Sequence, residues 1–194
     1  MADLVIAESF KERKIWSTKD IWTLIKQKQG MRDILHPMQF SHCWNFYPPP
    51  PAGKVIWCPF DKSWSEYVRI LTGAGYKVIC SHIDDGKDFF TYEPEHWDIL
   101  ISNPPFSKKD AVLEKAYSFN KPFALLLPVN TIQGKARFDI FKNEIQLLCF
   151  DSRIGFSLNR GEAPVEGTSF GSAYFCKDLL PTKLELRRLD KSVA

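Results

Sequence analysis

Asn103-Pro104-Pro105-Phe106 is the stretch of this chain whose residue types and order could do chemistry. An exocyclic amino group on a nucleobase is a poor nucleophile, because its lone pair is delocalised into the ring. Acceptors aimed at both of its N–H bonds favour a pyramidal, more nucleophilic nitrogen. The Asn103 side chain offers one such acceptor in its amide oxygen. The Pro104 carbonyl offers another, on a residue with no N–H to compete. Phe106 adds an aromatic face on which a base turned out of its helix can stack. The plainer reading is a turn asparagine with two prolines as punctuation.

The element that must position these residues lies just ahead of them. After Trp97 and Asp98 comes Ile99-Leu100-Ile101, an apolar run of the kind a fully buried parallel strand shows. The two prolines forbid the strand from continuing. The amide, the carbonyl and the ring are therefore expected together at a strand's C-terminal end, where open α/β sheets bind ligands.

Asn103-Pro104-Pro105-Phe106 resembles the catalytic signature of S-adenosylmethionine-dependent amino methyltransferases, above all the adenine-N6 DNA methyltransferases. Related signatures occur in enzymes that methylate RNA bases or a protein glutamine, so the motif speaks for the reaction more than for the substrate. The order of segments over about residues 16 to 176 is similar to small phage or prophage adenine-N6 enzymes. The resemblance implies a three-layer Rossmann-like α/β fold with a mostly parallel twisted sheet and an antiparallel last strand. It also implies S-adenosyl-L-methionine as cofactor.

The elements ahead of the motif read as a β-α-β unit. Val55 to Cys58 is a first strand, broken by Pro59-Phe60-Asp61. Ser63-Trp64-Ser65-Glu66 reads as a capping box that starts a helix, ended by Gly73-Ala74-Gly75. Tyr76 to Ser81 is a second strand. Such a unit places a ligand at its first strand-to-helix turn. Methyltransferases usually carry an acidic residue and a glycine-rich turn there, whereas this chain has Cys58-Pro59-Phe60-Asp61-Lys62-Ser63. The Pro-Phe pair is similar to an Asp-Pro-Phe-type variant with Cys58 in the acid's place, which leaves Asp61 to pair with the cofactor's ammonium group. At the end of the second strand the family has an acid for the ribose hydroxyls. Here His82, Ile83 and Asp84 occupy that region. Asp88 and Phe89 are similar to a pair that borders the cofactor's adenine ring, against the plainer reading of a polar turn before core aromatics. Trp16, Thr18 and Lys19, before a helix from about Asp20 to Gln29, match a segment lying against the methionine part of the cofactor. A capped surface helix is the equal alternative.

Beyond the motif, a helix is expected from Ser107–Asp110 to about Phe119, then a strand at Phe123 to Pro128. A short helix from Lys135 to Phe141 and a strand from Ile145 to Phe150 follow. Phe170 to Cys176 is the last strand, and the tail from Lys183 to Arg188 is a strand edge or an amphipathic arm. Lys108 and Lys109, beside the motif, can hold a phosphate of a nucleic acid, as can Arg153 and Arg160 in the loop at 151–169. In residues 31–53, Pro48 to Pro51 impose an extended segment that is a rigid connector or a dock for an aromatic-binding domain, and the aromatics before it either line a base pocket or pack beneath the connector.

Composition bounds these readings. The 194 residues, 44% hydrophobic and 25% charged, suit one domain with a sizeable core, residues 1–53 leading into a catalytic core at 54–180. The net charge of +3 permits a local basic face and no more. The five cysteines, Cys43, Cys58, Cys80, Cys149 and Cys176, show no paired spacing and read as reduced thiols of a cytoplasmic protein. His36, His42 and Cys43 lack a second half-site, so no metal is expected. No apolar run is long enough to span a membrane and no signal-peptide pattern is present.

These readings converge on transfer of a methyl group to the N6 amine of adenine, with DNA the favoured substrate. The alternatives are RNA adenine or a protein amide, a non-catalytic methyltransferase-like protein that binds nucleic acid or a partner, and a small interaction domain built around the proline run. There is no room for a separate recognition region, so target recognition is expected from residues 31–53, the loop at 151–169, a homodimer partner or another protein.

Overall fold

The computed structural model describes residues 53–142, 144–154 and 170–188. The expectations for Trp16, Thr18, Lys19, residues 31–52, Arg160 and most of the loop at 151–169 lie outside the described residues.

The elements follow the sequence pattern closely. They are β1 (Val55–Pro59), α1 (Glu66–Gly73), β2 (Lys77–Ser81), β3 (Ile99–Ser102), α2 (Lys109–Ser118), β4 (Phe123–Pro128), α3 (Lys135–Phe141), β5 (Gln146–Phe150), β6 (Ser172–Lys177) and β7 (Leu184–Arg187). Short 3-10 turns sit at Ile83–Asp85, Phe106–Lys108 and Val129–Ile132. The strands form a seven-stranded sheet in the order β2-β1-β3-β4-β6-β5-β7. β1 pairs in parallel with β2 and β3, and β3 in parallel with β4. β6 is the expected antiparallel strand, and it runs against both β4 and β5. It is not the outermost strand, because β5 lies beyond it and β7 adds a further edge, parallel to β5.

Alternate side chains of the central strands serve opposite faces, as the two-residue period of a strand requires. Ile56, Cys58, Ile99, Ile101, Ala124 and Leu126 pack with Tyr67 and Leu71 of α1. Val55, Trp57, Leu100, Phe123, Leu125 and Leu127 pack on the other face with Val112, Leu113 and Ala116 of α2 and Phe141 of α3. Burial on both faces explains why β1, β3 and β4 read as continuous apolar runs. The result is three layers, with helices on both sides of the sheet.

The start of α1 differs from the expected capping box. The N-cap is Ser65, not Ser63, and Ser65 makes no side-chain capping bond. Its hydroxyl donates instead to Asp61 Oδ1, so a helix cap is given up for a link to the preceding turn.

Candidate active site at the C-terminal ends of β1 and β3

From β1 the chain goes to β2 on one side, and β3 pairs on the other. At such a reversal open α/β sheets bind ligands, here beyond the carboxyl ends of β1 and β3. The reversal brings the turn at Phe60–Ser63 next to the loop that begins at Asn103.

β3 ends at Ser102, which is fully buried. Asn103 follows, with Oδ1 buried and without a hydrogen-bond partner among the described residues. An acceptor left in that state costs roughly 1–3 kcal/mol, so the fold holds it at a price. Pro104 is buried, Pro105 is exposed, and the Pro105 carbonyl accepts from Lys108 N at 3.0 Å to close the turn. Phe106 is half-buried and meets the ring of Phe170 edge-on, with centroids 5.7 Å apart. Phe170, just before β6, was not singled out in the sequence, since nothing local announces a contact made across the fold.

The turn after β1 solves the absence of glycine in an unusual way. Phe60 itself takes the left-handed conformation, at φ +68°, which a glycine-rich turn would otherwise supply. A bulky residue there is strained by roughly 1–3 kcal/mol and persists only where its surroundings fix it. The Phe60 ring packs on Phe89 at 4.8 Å between centroids, and Asp61 N donates to the Ser81 carbonyl at 3.2 Å. The Ser102 hydroxyl reaches both the Pro59 carbonyl and Asp61 Oδ2.

Asp61 therefore turns inward. It is 8% exposed and both carboxyl oxygens meet hydroxyls, Ser102 on one and Ser65 on the other. Burial pushes its carboxyl up to about 7, against the downward pull of those two hydrogen bonds. Both carboxyl oxygens thus meet hydroxyls of the protein itself, whereas the resemblance has Asp61 face an ammonium group of the cofactor. Cys58, in the place of the family's acid, is buried, and burial first, then Asp61 and Cys80, push its thiol upward, so it stays neutral. Pro59 is buried and Ser63 exposed.

At the end of β2, His82 Nδ1 accepts from Asp84 N at 3.1 Å, which leaves the ring proton on Nε2. Asp84 pairs with Lys62 at 2.7 Å across the two turns, and the Lys62 contact holds its carboxyl below the usual range. Ile83 stands 60% exposed, a large apolar surface at a sheet end otherwise rich in polar groups. Asp88 Oδ1 caps its own turn by accepting from Phe90 N at 3.0 Å. Phe89 is 2% exposed among Trp57, Phe60, Phe90 and Phe119. Its ring is core and has little face to offer a ligand, which is the plainer of its two readings.

Lys108 and Lys109 follow the motif at the start of α2. Lys108 is exposed, its ammonium 5.5 Å from the centre of the Phe90 ring. Arg153, after β5, is exposed. Among the described residues no group of His, Cys, Asp and Glu side chains is placed to hold a metal ion, and no helix is long and apolar enough to cross a membrane. The described cysteines, Cys58, Cys80, Cys149 and Cys176, are free thiols.

No family model matches the chain, and no curated protein matches it. Among solved structures, it is similar to a candidate methyltransferase from Thermoplasma acidophilum, at 12% identity and a TM-score of 0.34. The match covers 80% of this chain and 79% of that one. A likeness so distant carries no argument. The chain's own strand order, with a parallel core, an antiparallel strand entering beyond β4 and helices on both faces, is a three-layer Rossmann-like α/β arrangement.

Proposed function

We propose that this protein transfers a methyl group from S-adenosylmethionine to the N6 amine of adenine, with DNA the favoured substrate. The observation that carries the reading is the buried, unpartnered Oδ1 of Asn103 at the end of β3. It is an acceptor fixed in place ahead of the reaction, and an exocyclic N–H is a group that satisfies it.

The residues at the ends of β1 and β2 fit an adenosyl cofactor in part. His82 keeps an Nε2–H for a ribose hydroxyl, and Ile83 offers an apolar surface for a flat ring. Asp88 has a second carboxyl oxygen for an amino group. Asp61, turned inward, is not the partner of the cofactor's ammonium group. When bound, the cofactor supplies an activated methyl carbon on a sulfonium that leaves as a thioether.

The protein's own part is alignment and charge placement. Asn103 Oδ1 and the Pro104 carbonyl accept the two amino hydrogens and draw the nitrogen lone pair out of conjugation. Phe106 and Phe170 hold the base. The proton that the amine gives up on methylation would pass to water, since no described side chain beside Asn103 is assigned as a base. Lys108 and Lys109, at the start of α2 after the motif, would hold a phosphate of the same strand.

The test is incubation with methyl-labelled S-adenosylmethionine and either unmethylated DNA or RNA, followed by digestion to nucleosides. Label in N6-methyladenine from DNA, absent with Asn103→Ala, is the expected result. Cofactor binding without label in any nucleic acid overturns the assignment, and label in RNA alone moves the substrate.

A further inference from the structure

The turn after β1 and the end of β3 share a hydrogen-bond cluster whose protons can be counted. Ser102 Oγ touches two acceptors, the Pro59 carbonyl and Asp61 Oδ2, the latter at 2.5 Å. Ser65 donates to the other carboxyl oxygen, Asp61 Oδ1. A serine hydroxyl carries one proton. With Asp61 ionised, that proton serves either the carbonyl or the carboxylate, and the remaining pair of oxygens face each other with no hydrogen between them. One more proton removes the conflict. Asp61 then donates from Oδ2 to Ser102, Ser102 donates to the Pro59 carbonyl, and Ser65 donates to Oδ1. Every oxygen contact in the cluster becomes a hydrogen bond.

The surroundings favour that state. Asp61 is 8% exposed and Ser102 fully buried. From β1 the titratable neighbour is the Cys58 thiol, which lies close to Cys80 of β2. From α1 the neighbour is Ser65 and from β3 it is Ser102. The adjacent cation, Lys62, is drawn away to Asp84. Among the described residues none of these brings a positive charge to the carboxyl, and a buried carboxylate without one takes up a proton instead.

We propose that Asp61 is carried protonated in the folded protein and acts as a positioning residue, its proton tying the turn after β1 to Ser102, the residue before Asn103. This rests on the reading of the crevice as the reaction site and extends it. The tie holds the left-handed Phe60 in place and fixes the backbone from which the Asn103 amide projects. Ionisation of Asp61 breaks one link of the chain Asp61–Ser102–Pro59, so the geometry at Asn103 follows the protonation of a residue on another strand.

The test needs no turnover, so it stands or falls apart from the methyl-transfer reading. Asn at position 61 keeps both functions of the neutral acid, an N–H toward Ser102 and an acceptor toward Ser65. Urea unfolding across pH 4 to 9 is compared for wild type, Asp61→Asn and Asp61→Ala. The Asn103 amide resonances are followed over the same range. Wild type should lose stability as pH rises toward neutrality, with the Asn103 signals moving in step. Asp61→Asn should remove both dependences and remain folded, while Asp61→Ala should be less stable at every pH. The proposal is overturned if Asp61→Asn keeps the wild-type pH profile, which would hand the titration to another group. It is also overturned if Asp61→Asn leaves the profile intact and weakens S-adenosylmethionine binding tenfold or more, which would make Asp61 an ionised cofactor ligand.

Discussion

The rings of Phe106 and Phe170 meet at an interplanar angle of 79° with centroids 5.7 Å apart, joining the loop after β3 to the residue that leads into β6. Edge-to-face packing of this kind fixes both rings without covering them fully, and both remain half-buried. On the proposed reading, a base would meet two aromatic groups in place of one. Phe170→Ala should therefore weaken binding of an accepting oligonucleotide much as Phe106→Ala does, by roughly 1–3 kcal/mol each. Equilibrium titration with the oligonucleotide checks this. Unchanged affinity in Phe170→Ala would confine that ring to packing.

Asn103→Ala should abolish methyl transfer and leave cofactor affinity within a few-fold. It should also leave the protein no less stable than wild type. The amide oxygen it removes is buried and unpartnered, so deleting it forfeits no hydrogen bond and relieves a penalty of roughly 1–3 kcal/mol. Loss of activity with retained or raised urea midpoint is the expected pattern. A variant that turned over normally would remove Asn103 from the mechanism.

Asp61 makes stability depend on pH with a definite sign. Its folded-state value of about 7 lies above the ordinary 3.8, so between those values the folded chain holds a proton that the unfolded chain has lost. The stabilisation is full below the unfolded value and is lost as pH rises through the folded one. Integrated, the loss is up to about 4 kcal/mol. Urea midpoints measured from pH 4 to 8 should fall for wild type relative to Asp61→Asn. A difference that stayed flat would contradict the assignment.

Ile83→Ala should weaken S-adenosylmethionine by roughly 1–2 kcal/mol, the value of the apolar carbons removed, with little change in unfolding. The side chain is 60% exposed in the free protein, so the fold has little to lose from its truncation. Calorimetric titration measures the first effect and a urea curve the second. Equal cofactor affinity would leave Ile83 an ordinary surface residue.

Much of the architecture was open to inspection in the chain. β4 and α3 fall at the expected residues, because Phe123 to Pro128 is apolar throughout and closed by proline, and Gly134 precedes the helical spacing of α3. The Asn103 loop was legible for the same reason. The misread parts depend on contacts between distant residues. Ser65 looked like part of a capping box until Asp61 took its hydroxyl. Phe60 carries a positive φ that sequence associates with glycine. Phe89 has two readings in the sequence, and its enclosure by Trp57, Phe60 and Phe119 is made across the fold. Ser102 did leave a trace, as the lone hydroxyl ending an apolar strand beside Asn103.

The placement of β6 sets an order of events for a chain emerging from a ribosome. β5 is made before β6, yet its strand neighbours are β6 and β7 alone. Until residues 172–177 arrive, β5 has no edge to join and the outer edge of β4 lies open. The half of the sheet that carries the Asn103 loop can assemble first, while the far half waits for the end of the chain. Such waiting edges invite pairing with other chains. Release of a chain truncated before β6 is thus a hazard of aggregation, whatever the state of the half that carries the Asn103 loop.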